Sequence, residues 1–200
     1  MSEKRQKTVY YDKRSDFWKS HFTMAKDYSS YLGGSDPKHA QRWIEFEKRT
    51  PRLTDEQLER LIGYNRRLNV LMYSGVWCGD CARQGPMLRK IVDACGDKVG
   101  LRIIEREASE ELQDELRIVG ALRVPMVVFL SEDWWEVARY GERTLSVYRS
   151  KAAREIGRGM DAGILSPKVL AVQLDEWVDV FERVLIMLRL SPPLRKRYGD

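Results

Sequence analysis

Two cysteines separated by two residues, placed where an apolar run gives way to a helical pattern, constrain this chain more than any other feature. The run is Val70-Leu71-Met72-Tyr73, which reads as a buried strand. Ser74-Gly75 follows, and then Trp77-Cys78-Gly79-Asp80-Cys81. A helix is expected from about Cys81 to Ala94, with Met87, Leu88, Ile91 and Val92 on one face. The first cysteine then stands at a helix N-terminus, where unpaired N–H groups and the positive end of the dipole favour a thiolate. Cys78 reads as a nucleophile, and Cys81, one turn further in, as its more buried partner. Such a pair supports one reaction cycle. Cys78 attacks a disulfide, a mixed disulfide forms, and Cys81 then attacks Cys78 and frees the reduced product.

Two other readings compete for the pair. A zinc site needs four ligands. Only Cys95, His21 and His39 remain as Cys or His partners, none in a paired spacing. No metal or cofactor is therefore expected. The other reading is that the two thiols are structural.

Composition narrows the setting. At 43% hydrophobic residues over 200, a real core can form. The formal charge of +5 comes from 35 basic and 30 acidic residues, mostly dispersed. The clusters Lys4, Arg5, Lys7 and Arg195-Lys196-Arg197 read as solvated termini, so nucleic-acid binding is not expected. No run of about 18 apolar residues suggests a membrane span. The polar start Met1-Ser2-Glu3-Lys4 does not resemble a secretory signal. A cytoplasmic, reducing setting is expected, where three cysteines do not make a disulfide scaffold.

The order of elements can be read along the chain. Phe17, Trp18, His21, Phe22, Ala25 and Tyr28 suggest one amphipathic helix, broken by Gly33-Gly34-Ser35-Asp36-Pro37. Trp43, Ile44 and Phe46 suggest a second, ended by Thr50-Pro51. Thr54-Asp55-Glu56-Gln57 matches a capping box. Leu101-Arg102-Ile103-Ile104 reads as a strand. Ser109-Glu110-Glu111 opens a helix with Leu112, Leu116 and Val119 facing inward. Met126-Val127-Val128-Phe129-Leu130 is the clearest strand, and Glu136–Tyr140 alternates as its half-exposed partner. Ser166-Pro167 starts a long helix whose stripe runs from Leu170 to Leu188, and Pro192-Pro193 stops it. This stripe is expected to pack on the N-terminal helices. Alternation followed by a hairpin implies an α/β fold, a mixed central sheet flanked by helices.

The same residues resemble the thioredoxin family over roughly 55–154. The strand, the Trp-Cys-Gly-Asp-Cys loop and Gly85-Pro86 resemble its active-site strand, loop and kinked helix. Leu122-Arg123-Val124-Pro125-Met126 resembles its cis-proline segment. Gly79-Asp80, Arg123-Val124-Pro125 and Arg139-Tyr140-Gly141-Glu142-Arg143 together look like a bacterial thioredoxin-like subgroup with helical extensions. The resemblance implies a thioredoxin-like fold over 54–158, a helical N-terminal extension over 1–53 and a C-terminal one over 159–200. It further implies that Val124 and Pro125 meet substrate, Val124 through its backbone. Trp77, by its position, either shields Cys78 and touches substrate or is simple packing, and Gly79 and Asp80, lying between the cysteines, are expected to tune Cys78. Its implied partners are protein or small-molecule disulfides, and a reductase or small thiol as electron donor.

Two departures matter. The family's Pro between the cysteines is Asp80 here. A carboxylate near Cys78 disfavours the thiolate, so a pKa above the value of roughly 7 found in thioredoxin is expected. The family's buried Asp before the first cysteine is Met72 here. Glu105 or Glu107 is a candidate replacement, or either is a solvated strand-end charge. Arg83 either stabilises a thiolate or is solvated. Cys95 reads as a packing thiol, His21 and His39 as structural or exposed, and Trp134-Trp135 as packing against the terminal helices.

Three functional expectations follow. The first is a disulfide-reducing oxidoreductase. The second is a binding or adaptor module whose helical extensions carry the function. The third, a thiol peroxidase, lacks the usual Thr/Ser-x-x-Cys arrangement and ranks last.

Overall fold

The sheet grows outward from one strand with no exposed residue. A computed structural model describes residues 10–200; the Lys4, Arg5, Lys7 cluster and the polar start lie outside them. The elements run α1 (Ser15–Met24), α2 (Tyr28–Gly33), α3 (Pro37–Arg49), α4 (Asp55–Leu61), β1 (Leu68–Ser74), α5 (Gly79–Cys95), β2 (Val99–Glu105), α6 (Glu110–Glu115), β3 (Met126–Ser131), β4 (Glu136–Gly141), α7 (Leu145–Ile156), α8 (Pro167–Leu190) and α9 (Pro192–Tyr198). Strand order is β2-β1-β3-β4. β1 lies parallel to β2, and β3 is antiparallel to both β1 and β4. β1 and β3 are buried throughout, which is why they read as unbroken apolar runs. β4 is half-buried at every position, consistent with its alternating sequence.

Helix starts follow local chemistry. Thr54 and Gln57 form the full capping box on α4. Ser166 Oγ accepts the Val169 N–H at the start of α8, with Pro167 in the first turn. Ser109 caps α6 in the same way.

Four expectations are corrected. The first apolar stripe spans two helices. The Lys26 N–H donates to the Ile103 carbonyl (2.9 Å), and the Ile103 N–H returns the bond to Lys26 (2.7 Å). That bridge to β2 stops α1, and Asp27 then caps α2 by accepting the Ser30 N–H. Val119 is fully exposed and has a positive φ of 50°, so it lies on a turn beyond α6. The α8 stripe packs on α4, α5, α7 and β4. Phe181 meets Phe129 edge-on (5.2 Å), and Trp177 meets Tyr140 (4.9 Å). The stripe thus covers the sheet. Finally, Pro192-Pro193 ends α8 and also opens α9, because Pro is tolerated in a first turn.

The tryptophan pair bears out packing. Trp134 lies against Phe22 of α1 (5.2 Å), and Arg197 of α9 sits 4.9 Å above Trp135. Arg197 also pairs with Asp133 (2.8 Å), so the C-terminal basic cluster is partly folded onto the hairpin.

Helix α3 lies against α5 at Gly85. A Cβ there would sit 2.1 Å from the ring of Trp43, which is wholly buried. Gly85→Ala therefore lowers stability by about 1–3 kcal/mol through overpacking, despite the better helix propensity of Ala. Urea unfolding of the two proteins measures the difference.

Candidate active site

The strand end and the helix start place the two sulfurs. Buried β1 runs out at Ser74, and four residues later Cys78 caps α5. The loop between is held at Val76. The Trp43 indole N–H donates to its carbonyl (3.0 Å), and its own N–H donates to Glu105 Oε1 (3.1 Å). Cys78 is half-exposed, whereas Cys81, one helical turn in, is wholly buried.

The surroundings split the two thiols. The Cys81 N–H donates to Cys78 Sγ (3.4 Å), as an orphan helix N–H should. Hydrogen bonds from the Cys81 thiol and from the Cys81 and Asp80 backbone bring the Cys78 pKa down to about 7, against the opposing effect of burial. Burial pushes Cys81 well above the ordinary thiol range, and its hydrogen bond to Cys78 adds to this. At neutral pH Cys78 is thus substantially thiolate while Cys81 keeps its proton. Cys95 is pushed up to about 12 by burial alone, consistent with a packing thiol.

The expected elevation by Asp80 is a correction. Its charge does oppose the Cys78 thiolate, but as the smallest of the named influences. One reason is that Asp80 is already paired. Arg83 grips one oxygen and Arg143 Nε lies 2.8 Å from the other. Arg83 is likewise neither of the two things expected of it. It is buried, and its Nε donates to Gln173 Oε1 of α8 (2.8 Å).

The proline loop lies beside Cys78. The Val124–Pro125 peptide is cis, and the Cys78 thiol faces the Val124 carbonyl at 3.6 Å. The loop is closely backed by the end of β4. A Cβ on Gly141 would sit 2.5 Å from the Pro125 carbonyl oxygen and from Met126 Sδ, so the close approach requires glycine. Buried Gln84 joins this corner to the helices. It donates to the Glu142 carbonyl (2.9 Å) and accepts from the Trp177 indole (3.2 Å).

The two terminal segments both reach the cysteine face. A cleft of about 440 Å³ beside Cys78 is walled by Arg42 and Phe46 of α3, by Trp77, and by Ile164 and Leu165. Trp77 is 41% exposed, with Arg106 stacked 4.8 Å from its ring. Gln173 donates to the Ile164 carbonyl (3.0 Å), tying this wall to Arg83 and so to Asp80.

Residues proposed for other roles fall elsewhere. Buried Met72 offers no titratable group. Glu105 is the better placed of the two candidate carboxylates, held by Val76 and by the Tyr31 hydroxyl (2.7 Å), while Glu107 is exposed and pairs with Arg106. His21 is structural: its two ring nitrogens meet the Phe17 carbonyl and the Ser109 hydroxyl. His39 is partly buried on α3. Sequence reasoning missed Gln84, Tyr31, Arg143 as a partner of Asp80, and the cleft wall at Ile164. Only Arg143 had a signal, its place in the Arg-Tyr-Gly-Glu-Arg stretch. Among the described residues, no group of three or more Cys, His, Asp or Glu could hold a metal, and no helix is long and apolar enough to cross a membrane.

Removing Arg143 frees one side of Asp80. Arg143→Ala should raise the Cys78 pKa above about 7. Taking this partly buried pair as worth about 0.2–1 kcal/mol, the pKa rises by up to about 0.7 and alkylation at pH 7 slows by up to about three-fold. The pH profile of iodoacetamide labelling, in which reactivity rises as the thiol ionises, reads the shift.

The family model described as Thioredoxin matches residues 25–153. Among solved structures, a protein of unknown function from Pseudomonas aeruginosa is 21% identical with a TM-score of 0.56, covering 84% of this chain and 92% of that one. An HIV epitope scaffold is 19% identical, also at a TM-score of 0.56, covering 86% of this chain and 94% of its own. At these identities the likeness concerns fold alone. No curated protein sequence matches the chain. The family match takes in more than half of the chain, including the cysteine pair, the cis-proline loop and all four strands, and the chain therefore belongs to the thioredoxin family.

Proposed function

We propose that this chain is a thiol–disulfide oxidoreductase that reduces protein or small-molecule disulfides through Cys78 and Cys81. The observation that carries the reading is the contrast between the two sulfurs. Cys78 is reachable from solvent at a helix mouth with a pKa of about 7, and Cys81 is sealed directly behind it and holds its proton. An exposed thiolate is the species that attacks. A buried thiol hydrogen-bonded to it is placed to attack second.

The roles follow from position. Cys78 attacks the substrate disulfide, its sulfur bonding to one substrate sulfur while the other leaves as a thiolate. Cys81 then bonds to Cys78, and the first substrate sulfur leaves in turn. Val124 and Pro125 would align the substrate backbone, and Trp77 would cover the reacting bond. Gly79 sets the first helical turn, and Asp80 tunes Cys78 through its pairs with Arg83 and Arg143. The oxidised pair would be returned to the dithiol by a reductase or a small thiol in a cytoplasmic, reducing setting. In this reading, residues 54–158 carry the chemistry while 1–53 and 159–200 shape the way in. The cleft walled by Phe46, Trp77, Ile164 and Leu165 supports substrates that present an apolar side chain next to the disulfide.

An insulin-reduction assay driven by dithiothreitol tests the reading. A rate above the uncatalysed background is expected, lost to background in Cys78→Ser. Cys81→Ser should trap mixed disulfides visible by mass spectrometry. A chain with no Cys78-dependent rate would instead point to an adaptor built on this fold.

A further inference from the structure

We infer that Ser74, Tyr31 and Glu105 form a proton path that carries the Cys81 proton out of the core when Cys81 attacks. The inference rests on the oxidoreductase reading and extends it. Cys81 is wholly buried, so it cannot hand its proton to water directly. Its thiol is hydrogen-bonded to Ser74, the last residue of β1, itself wholly buried. The Ser74 hydroxyl lies 3.4 Å from the Tyr31 hydroxyl, which donates to Glu105 Oε2 at 2.7 Å. Glu105 ends β2 and lines a cavity of about 380 Å³ with Lys26, Tyr31 and Asp36. The chain of contacts therefore leads from a sealed sulfur to a carboxylate beside open space.

The step balances as a relay. Cys81–H passes its proton to Ser74 Oγ, Ser74 passes its own to Tyr31, and Tyr31 passes its own to Glu105. The Cys81 sulfur bonds to Cys78, the bond from Cys78 to substrate breaks, and the substrate sulfur leaves with the electron pair. Ser74 and Tyr31 end as they began, and Glu105 holds the proton until it reaches solvent. Burial keeps the Tyr31 phenol far above the neutral range, so it conducts a proton without becoming charged. Ser74 touches the reacting sulfur and acts catalytically. Tyr31 and Glu105 act through it, as positioning residues. Tyr31 belongs to the N-terminal extension, so the reaction draws on residues outside the strand–helix unit that holds the cysteines.

Glu105 also holds the Val76 N–H, so the test must separate the proton from the hydrogen bond. Glu105→Gln keeps an acceptor and removes the base. Tyr31→Phe keeps the ring against Trp43, whose centroid is 5.5 Å away. In a Cys95→Ala background, full-length protein reacts with dithiobis(nitrobenzoate). The first release of nitrothiobenzoate reports attack by Cys78, and the second reports attack by Cys81. The charged groups that share the cavity with Glu105, Lys26 and Asp36, are unchanged across the set.

Both variants should leave the first release within about two-fold of the parent. Both should slow the second by about 100-fold at pH 7, the lower end of what a lost general base costs. The second release should be nearly flat with pH in the parent between pH 7 and 9. In Glu105→Gln it should climb about ten-fold per pH unit, as Cys81 must then ionise on its own. A second release in Glu105→Gln that matches the parent in rate and pH profile overturns the path alone. A parent that gives no Cys81-dependent second release overturns the oxidoreductase reading, and the path with it.

Discussion

The structure depends on one arrangement: a sulfur held where a helix has backbone donors to spare. Cys78 is the N-cap of α5, and the Cys81 N–H points at it. The two cysteines are three residues apart on the same helix, yet their proton affinities move in opposite directions: hydrogen bonds at the helix mouth lower that of Cys78, and burial raises that of Cys81. Chemistry in sequence, with one thiol acting first and the other second, needs no more than that asymmetry. Two requirements follow for the rest of the fold. β1 must be sealed on both faces so that Cys81 stays dry, and the helix mouth must stay open so that Cys78 does not.

The terminal segments serve both requirements. On the closed side, Trp43 packs on Gly85 so tightly that no side chain fits there, and Trp177 anchors Gln84 from α8. On the open side, the same segments stop short of Cys78 and wall a cleft beside it. Arg83 links the two sides. It is buried between Asp80 of the active-site turn and Gln173 of α8, whose amide also holds Ile164. An extension fastened to the helix that Cys78 caps cannot move far without disturbing it.

What the sequence disclosed, and what it did not, divides along local and distant interactions. β1, β3, α5 and the capping box were legible because burial period and capping chemistry are written in neighbouring residues. The α1–α2 break was not, because it is made by Lys26 pairing with Ile103, some seventy-seven positions away. The place of α8 was misread because an apolar stripe shows how much is covered and not what it covers. Of the site, the cysteines and the proline loop were visible as motifs. Gln84, Tyr31 and the cleft wall at Ile164 were not, since their roles come from what lies opposite them. Asp80 shows the limit most clearly: its sign was right, but the two arginines that absorb its charge sit at 83 and 143.

Asp80 also shows why a charge at this position is tolerated. Alone in the first turn, it would suit the helix dipole and oppose a neighbouring thiolate. Paired with Arg83 and Arg143, it contributes little net charge at Cys78, and the hydrogen bonds to the sulfur decide the outcome. The carboxylate is thereby free to serve as a mechanical hub. It joins the active-site turn to α8 through Arg83 and to the segment after β4 through Arg143 and its neighbour Glu142. That segment backs the proline loop through Gly141. The two surfaces that flank Cys78, the cleft wall and the Val124 carbonyl, are therefore set by one residue between the cysteines. A proline there would shape the turn but could not reach either arginine, so in this chain the aspartate couples the geometry of the site to the extensions that surround it.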